Sequence, residues 1–236
     1  MQPAYLPWLG YFDLIDNVKD FIFLDNVKFN KSSYDNQNKI IGTNGVILLS
    51  VPTHAQHGRM DTMINEIKID DSRRWRKKHL ASIEQSYRKT SYYYEIYPAV
   101  ERILNGDIKT LSDLNIALIK LFSSMLFLDV NFHVASQINN TTSDKVQRLI
   151  NFCQIYDSSS YYSPEGSLDY LDTPKSKELF NSAGITIYFQ QFKLVPYLQK
   201  NNDFSPYMSI LDALMNLGPE GTRDVIRKGS CIKTLT

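Results

Sequence analysis

The amino-acid sequence predicts an α/β fold: a largely parallel sheet flanked by helices, with an inserted β-hairpin. Short apolar runs of strand length recur at 21–24, 130–135 and 185–190. They alternate with longer segments whose apolar residues repeat at helical spacing, the pattern of strands joined by helical crossovers. Gly42-Thr43-Asn44-Gly45 separates two further apolar runs. Asn-Gly in that setting marks a tight hairpin, because a type I′ turn needs positive φ at both central residues.

The chain opens Met1-Gln2-Pro3-Ala4-Tyr5-Leu6-Pro7-Trp8-Leu9-Gly10-Tyr11-Phe12. Pro7 suits the first turn of a helix, where a missing N–H costs nothing. Leu9, Phe12 and Ile15 then share one helical face. Residues 21–24 read as a strand buried on both faces. Asp25 and Asn26 follow at its carboxyl end, the edge at which open α/β sheets bind ligands. Residues 46–51 form the return strand of the hairpin, 53–61 a polar loop and 64–69 another strand. A helix is expected over 71–88, carrying Arg73, Arg74, Arg76, Lys77, Lys78 and His79 around Trp75. That run is either a solvated face or an anion-binding face. Tyr97-Pro98 should interrupt the next helix and leave 99–104. Thr110 or Ser112 can cap a helix whose stripe is Leu111, Leu114, Leu118, Leu121, Phe122 and Met125.

A second run of elements follows: a strand at 130–135, a helix at 143–156 and a short strand at Tyr161-Tyr162. That strand enters the loop Ser163-Pro164-Glu165-Gly166. A helix at 175–183 stops at Gly184, and a strand occupies 185–190. Ser205 and Pro206 are expected to start a helix ended by Gly218, with a last helix over 220–228. The whole reads as a single domain, 1–236, with Asp129 a candidate boundary between halves 1–128 and 129–236.

Composition narrows the function. With 236 residues, 43% hydrophobic and 22% charged, the chain is an ordinary globular one. Its net charge of +1 gives no general basic field for nucleic acid. The longest apolar run, 116–130, is broken by Lys120, Ser123 and Ser124 and falls short of the ~20 residues a membrane span needs. Cys153 and Cys231 form no CxxC pair or disulfide framework, and no basic leader is visible, which together suit the cytoplasm. Fifteen tyrosines suit either half-buried faces or sugar-binding surfaces.

Several residues are candidates for chemistry. Asp25, at a strand's carboxyl end, reads as an acid/base group or as a cap. His54 and His57 are a pair without a third ligand at recognisable spacing, so no metal site is assigned. Lys145 and Arg148, three apart near a helix start, can hold a phosphate. Ser209 and Asp212 share a helical face, but serine and aspartate without an intervening base make no hydrolase triad. Cys153 lies on an apolar stripe and reads as core. The spacing Trp8-Leu9-Gly10-Tyr11 is similar to the His-x-Gly-His turn of nucleotidyltransferase-like folds, with both histidines replaced.

The string from Gln2-Pro3 through Gly10-Tyr11-Phe12, the strand ending Asp25-Asn26-Val27, and Asn36-Gln37-Asn38-Lys39-Ile40 resemble the WbqC-like protein family. So do Trp75 with His79, Lys145 with Arg148, Tyr162-Ser163-Pro164-Glu165-Gly166 and Ser209-Ile210-Leu211-Asp212. The resemblance spans nearly the whole chain and agrees with a Rossmann-like sheet. Members are typically encoded among genes for bacterial surface-polysaccharide (O-antigen) biosynthesis. It therefore implies a cytoplasmic enzyme acting on a nucleotide sugar, with acyl or aminoacyl transfer to an amino sugar as the expected reaction. Asp25 or His79 would be the base. Asn36 and Asn38 would orient the sugar, and Lys145 and Arg148 would hold phosphate. Gln2, Tyr11, Ser163, Ser209 and Asp212 would complete the substrate site. The alternatives are a non-catalytic module binding a nucleotide sugar or a partner, and an adenylate-forming enzyme. No cofactor and no oligomeric state is indicated. The chain departs from the family in carrying Gln37 where an arginine is usual, and in lacking the few apolar residues, expected as a first strand, that usually precede Gln-Pro.

Overall fold

The computed structural model describes residues 1–29, 34–54, 62–200 and 203–234. In chain order they form α1 (Leu9–Asp16), β1 (Asp20–Phe23), β2 (Gln37–Gly42), β3 (Gly45–Ser50), β4 (Thr53–His54) and β5 (Lys68–Ile69). Then come α2 (Trp75–Tyr87), α3 (Tyr93–Leu104), α4 (Leu111–Met125), β6 (Asn131–Val134), α5 (Lys145–Ile155) and β7 (Ser160–Ser163). Last are α6 (Leu168–Leu171), α7 (Pro174–Ser182), β8 (Thr186–Gln190), α8 (Ile210–Gly229) and β9 (Ile232–Thr234).

The class is mixed α/β. The described strands form four small sheets rather than one Rossmann-like sheet. Parallel pairing is confined to β1 with β6 and β7 with β8, and β9 adds to β8 antiparallel. The two parallel pieces do not meet, because a cavity separates β1 from β7. The hairpin is present as β2–β3, but Gly42 pairs with Gly45, so Thr43-Asn44 is the two-residue loop. Gly45 is the first residue of the return strand, at φ +118°, a conformation a side chain would strain.

Other elements differ from the sequence reading for local reasons. Pro7 lies before the N-cap, Trp8, rather than inside α1. Residues 64–69 split into a 3-10 turn, Ile64–Glu66, and the short β5. Arg74, at φ +51°, separates the turn Asp71–Arg73 from α2. Pro98 lies within α3 instead of starting a new helix. Its ring removes the bond to the Tyr94 carbonyl, and Tyr94 is 73% exposed, so water can take that carbonyl. The helix expected from Ser205 begins at Ile210, capped by Ser209. Gly218, at φ +72°, kinks α8. An added Cβ there would stand 2.4 Å from the Tyr92 ring.

The described residues form two apolar cores. The larger gathers α1, the β2–β3 hairpin, α2, α3, α4 and α8, so residues from 210 onward join those of the first half-chain. The smaller gathers α5, α7, β7 and β8. β1 is shared: Phe21 and Phe23 face the larger core, and Ile22 and Leu24 pack on the smaller.

The irregular opening segment runs through the larger core. Ala4, Tyr5 and Leu6 are buried, and Leu6 holds φ +45° just before Pro7. Buried main-chain groups outside helices and strands must find partners elsewhere. Asn115 Nδ2 in α4 donates to the Pro3 and Asp35 carbonyls, at 3.0 and 2.7 Å. Asn38 Nδ2 in β2 donates to the Tyr5 and Leu6 carbonyls, at 3.3 and 2.7 Å. The Ile210 amide in α8 donates to the Pro7 carbonyl at 2.8 Å. Gln190 Nε2 in β8 donates to the Gly10 carbonyl at 2.7 Å.

Asn115→Ala strips a donor from two buried carbonyls. It should cost ~2–4 kcal/mol in urea denaturation, whereas Lys77→Ala on the exposed face of α2 should stay within ~0.5 kcal/mol.

Candidate functional site

The carboxyl edge of the parallel strands is the candidate site. The register Phe23↔Val134 places Asp25 and Ser136 side by side just past β1 and β6. Asp25 is buried, and both its oxygens accept from Ser136: Oδ1 from the amide at 2.9 Å, Oδ2 from the hydroxyl at 2.6 Å. The Asp25 carbonyl accepts the Asn65 amide at 3.0 Å. Between β6 and β7 the chain forms α5. Lys145 opens α5 and is exposed. Arg148 is half-buried; its Nη2 donates to the Thr142 carbonyl at 3.2 Å, and its Nε has no partner. Lys145 stands four residues before Leu149, and Arg148 four before Phe152. Both of those residues line the cavity between β1 and β7. The two cations therefore stand one helical turn toward the start of α5 from these lining residues, and neither lines the cavity itself. Asp144 caps the helix through the Gln147 amide, so one carboxylate already occupies part of this end. The cavity is about 580 Å³, and Gln2 lines it. Ser163, buried at the end of β7, completes the edge.

The remaining candidates lie elsewhere. His79 is buried beneath the opening segment, where its Nδ1 takes the Tyr5 hydroxyl at 2.8 Å and its other nitrogen faces the Ser50 main chain. Trp75 and Tyr5 rings pack on it. Burial pushes its pKa down to about 4, so it is neutral. Tyr11 donates to the Gln2 carbonyl at 2.8 Å. Asn36 donates to the Val51 carbonyl at 3.1 Å and keeps a buried, unpartnered Oδ1, and Asn38 is committed to the Tyr5 and Leu6 carbonyls. Ser209 is a buried helix cap accepting the Leu211 amide. Asp212 is fully buried. It accepts from the Tyr87 and Tyr197 hydroxyls at 2.9 and 2.8 Å and from Gln199 at 2.9 Å. Burial still raises its pKa, because no cation compensates. Asp25 and His79 therefore belong to different clusters. His54 sits 3.3 Å from Asp70, and His57 lies outside the described residues. Among the described residues, no three of His, Cys, Asp and Glu gather as a metal site would require.

Sequence reasoning missed Ser136, which fixes Asp25, and the buried pair Asp13 and Gln190. Asp13 accepts from Gln190 at 2.6 Å, and burial raises its pKa. No spacing signal marks Asp13, because α1 is buried on nearly every side. Asn115 did leave a signal: it is a polar residue on the stripe between Leu111 and Leu118.

His79 supplies a pH test. The unfolded chain takes up a proton near pH 6.5 that the folded chain refuses until about pH 4. Stability from this group is thus complete above pH 6.5 and falls on acidification through that window, by on the order of 3 kcal/mol. Denaturation midpoints from pH 7 to 4.5 should fall more steeply for the native chain than for His79→Gln, the difference separating His79 from Asp13 and Asp212.

No helix among the described residues is long and apolar enough to cross a membrane. No solved structure matches the chain. An uncharacterized protein of Mycobacterium tuberculosis, Rv1507c, is 31% identical over 223 residues, covering 93% of each chain. The model of the WbqC-like protein family matches residues 2–224, and with the match extending over the opening segment, the sheet edge and α8 alike, this chain belongs to the WbqC-like protein family.

Proposed function

We propose that the chain binds a nucleotide-linked amino sugar at the carboxyl edge of β1, β6 and β7. In this reading it transfers an acyl or aminoacyl group to the sugar amine in cytoplasmic surface-polysaccharide synthesis. The supporting observation is the position of Lys145 and Arg148, two cations on one face near the start of α5, one helical turn from Leu149 and Phe152, which line the cavity between β1 and β7. That is where Rossmann-like sheets hold phosphates, and a helix start reinforces it. Family membership supports the pathway. In the reaction the amine attacks the acyl carbonyl, its proton passes to a base, and the donor's leaving group departs. Asp25 is the base nearest this edge.

A second reading, a binding module without catalysis, has its own support. Ser136 engages both Asp25 oxygens, and the Tyr5 hydroxyl and the Ser50 main chain engage both His79 nitrogens.

Thermal stabilisation by UDP-, dTDP- and GDP-linked amino sugars, with ATP and coenzyme A alongside, tests the site. One nucleotide sugar should stabilise the chain, and Lys145→Ala or Arg148→Ala should weaken it ~10- to 100-fold. Stabilisation by ATP alone, with pyrophosphate release on turnover, would favour adenylate-forming chemistry instead. Asp25→Asn keeps a partner for the Ser136 amide, so it should fold. Lost turnover with retained binding supports Asp25 as base, and binding without product in the native chain supports the module.

A further inference from the structure

Residues 191–200 and 203–208, the described part of the connection from β8 to α8, form no helix or strand. Two apolar residues in it are kept at the surface by bonds and packing on their neighbours. The Tyr197 hydroxyl and Gln199 Nε2 both donate to buried Asp212, at 2.8 and 2.9 Å. Leu198 stands between them in sequence and is 78% exposed. Tyr207 is 55% exposed, while its successor Met208 is buried. Tyr207 also holds φ +59°, a conformation that strains any side chain.

The connection is bonded to the β2–β3 hairpin at two points. Lys200 Nζ donates to the Thr43 hydroxyl in the hairpin loop at 3.3 Å. The Ser209 amide donates to the Lys39 carbonyl in β2 at 2.8 Å. Lys39 pairs with Leu48 across the hairpin, and residues two apart on a strand share a face, so Lys39, Val46 and Leu48 lie on one side. That side meets solvent: Lys39 is exposed, Val46 is 51% exposed and Leu48 53%. Charge here is one-sided. In residues 37–50 and the described part of the connection, the charged side chains are Lys39, Lys193, Lys200 and Asp203, all exposed.

We propose that Val46 and Leu48 of the hairpin, Leu198 and Tyr207 of the connection, and the lysines among them form one face that docks on the surface of an anionic lipid bilayer. The apolar side chains enter the headgroup boundary and the lysines meet the lipid charge, the two signals that together hold a protein on a membrane surface. Tyrosine suits that depth, with an apolar ring and a polar tip. A second copy of the chain fits this face poorly. An isologous contact would bring the lysines of both copies together, with one aspartate per copy against three of them. The proposal does not depend on the nucleotide-sugar reading.

Vesicle sedimentation tests it, with phosphatidylcholine alone or with about 30% phosphatidylglycerol added. At ~0.1 M salt the native chain should bind the mixed vesicles at least ~10-fold more tightly than the neutral ones, and most of that preference should vanish at ~0.5 M. Leu198→Glu and Leu48→Glu should each weaken binding ~10-fold or more, and Lys39→Ser about 5-fold. These positions are exposed, so Tm should fall by no more than ~5 °C in each variant. Replacing Lys77 and Lys78 on the α2 face by alanine should leave binding unchanged. No binding to the mixed vesicles would overturn the proposal, as would binding that the α2 pair abolishes and Leu198→Glu does not. So would a dimer in solution that Leu48→Glu dissociates, since the face would then belong to a second copy.

Discussion

The structure depends on satisfying one buried, irregular stretch of backbone. Residues 3–7 are buried and lie outside any helix or strand, so their main-chain groups need partners inside the protein. Each carbonyl left bare would cost ~1–3 kcal/mol, enough to matter against a typical domain stability. The donors come from elements remote in sequence: Asn38 in β2, Asn115 in α4, the first amide of α8 and, one turn further on, Gln190 in β8. The opening motif is therefore a junction. Each of these elements is held in place by the carbonyl it serves, and the Leu6 backbone, costly at positive φ, is held by the Asn38 clamp.

This explains why the sequence read well at some places and poorly at others. The α4 stripe, the Thr110 cap and the strand expected at 185–190 follow from local periodicity and capping chemistry; the structure contains the first two, and the strand over Thr186–Gln190. The start of α8 does not follow from such rules. Ser205-Pro206 is the better local signal, yet the helix waits for Ser209, whose amide is engaged by the Lys39 carbonyl and whose successor binds Pro7. Sheet continuity was beyond periodicity for another reason. Runs such as 21–24 announce a strand, but not whether a neighbour stands on each side of it.

Tyrosine illustrates the same point at the level of chemistry. Composition suggested half-buried faces or a sugar surface. In the structure the hydroxyls of Tyr5, Tyr11, Tyr87 and Tyr197 reach into the interior to His79, the Gln2 carbonyl and, for the last two, Asp212. Asp13 and Asp212 are likewise met by neutral donors and no cation, and burial raises the pKa of both. These polar clusters join elements across the core and fix their register. The residues left free to meet a ligand are fewer than the motif residues suggest. Of the candidate residues, Lys145 is exposed and Arg148 half-buried at the start of α5, whereas Asp25 is buried against Ser136.

Native-state hydrogen exchange at the amides of Tyr5, Tyr11 and Ile210 tests the junction most directly. These groups bond the Tyr34, Trp8 and Pro7 carbonyls in and around the opening segment. If the segment is the junction of the fold, all three exchange only through global unfolding, with a free energy equal to that from urea denaturation. Exchange of Tyr5 and Tyr11 at rates typical of a fraying terminus, while the α4 core stays protected, would contradict the account.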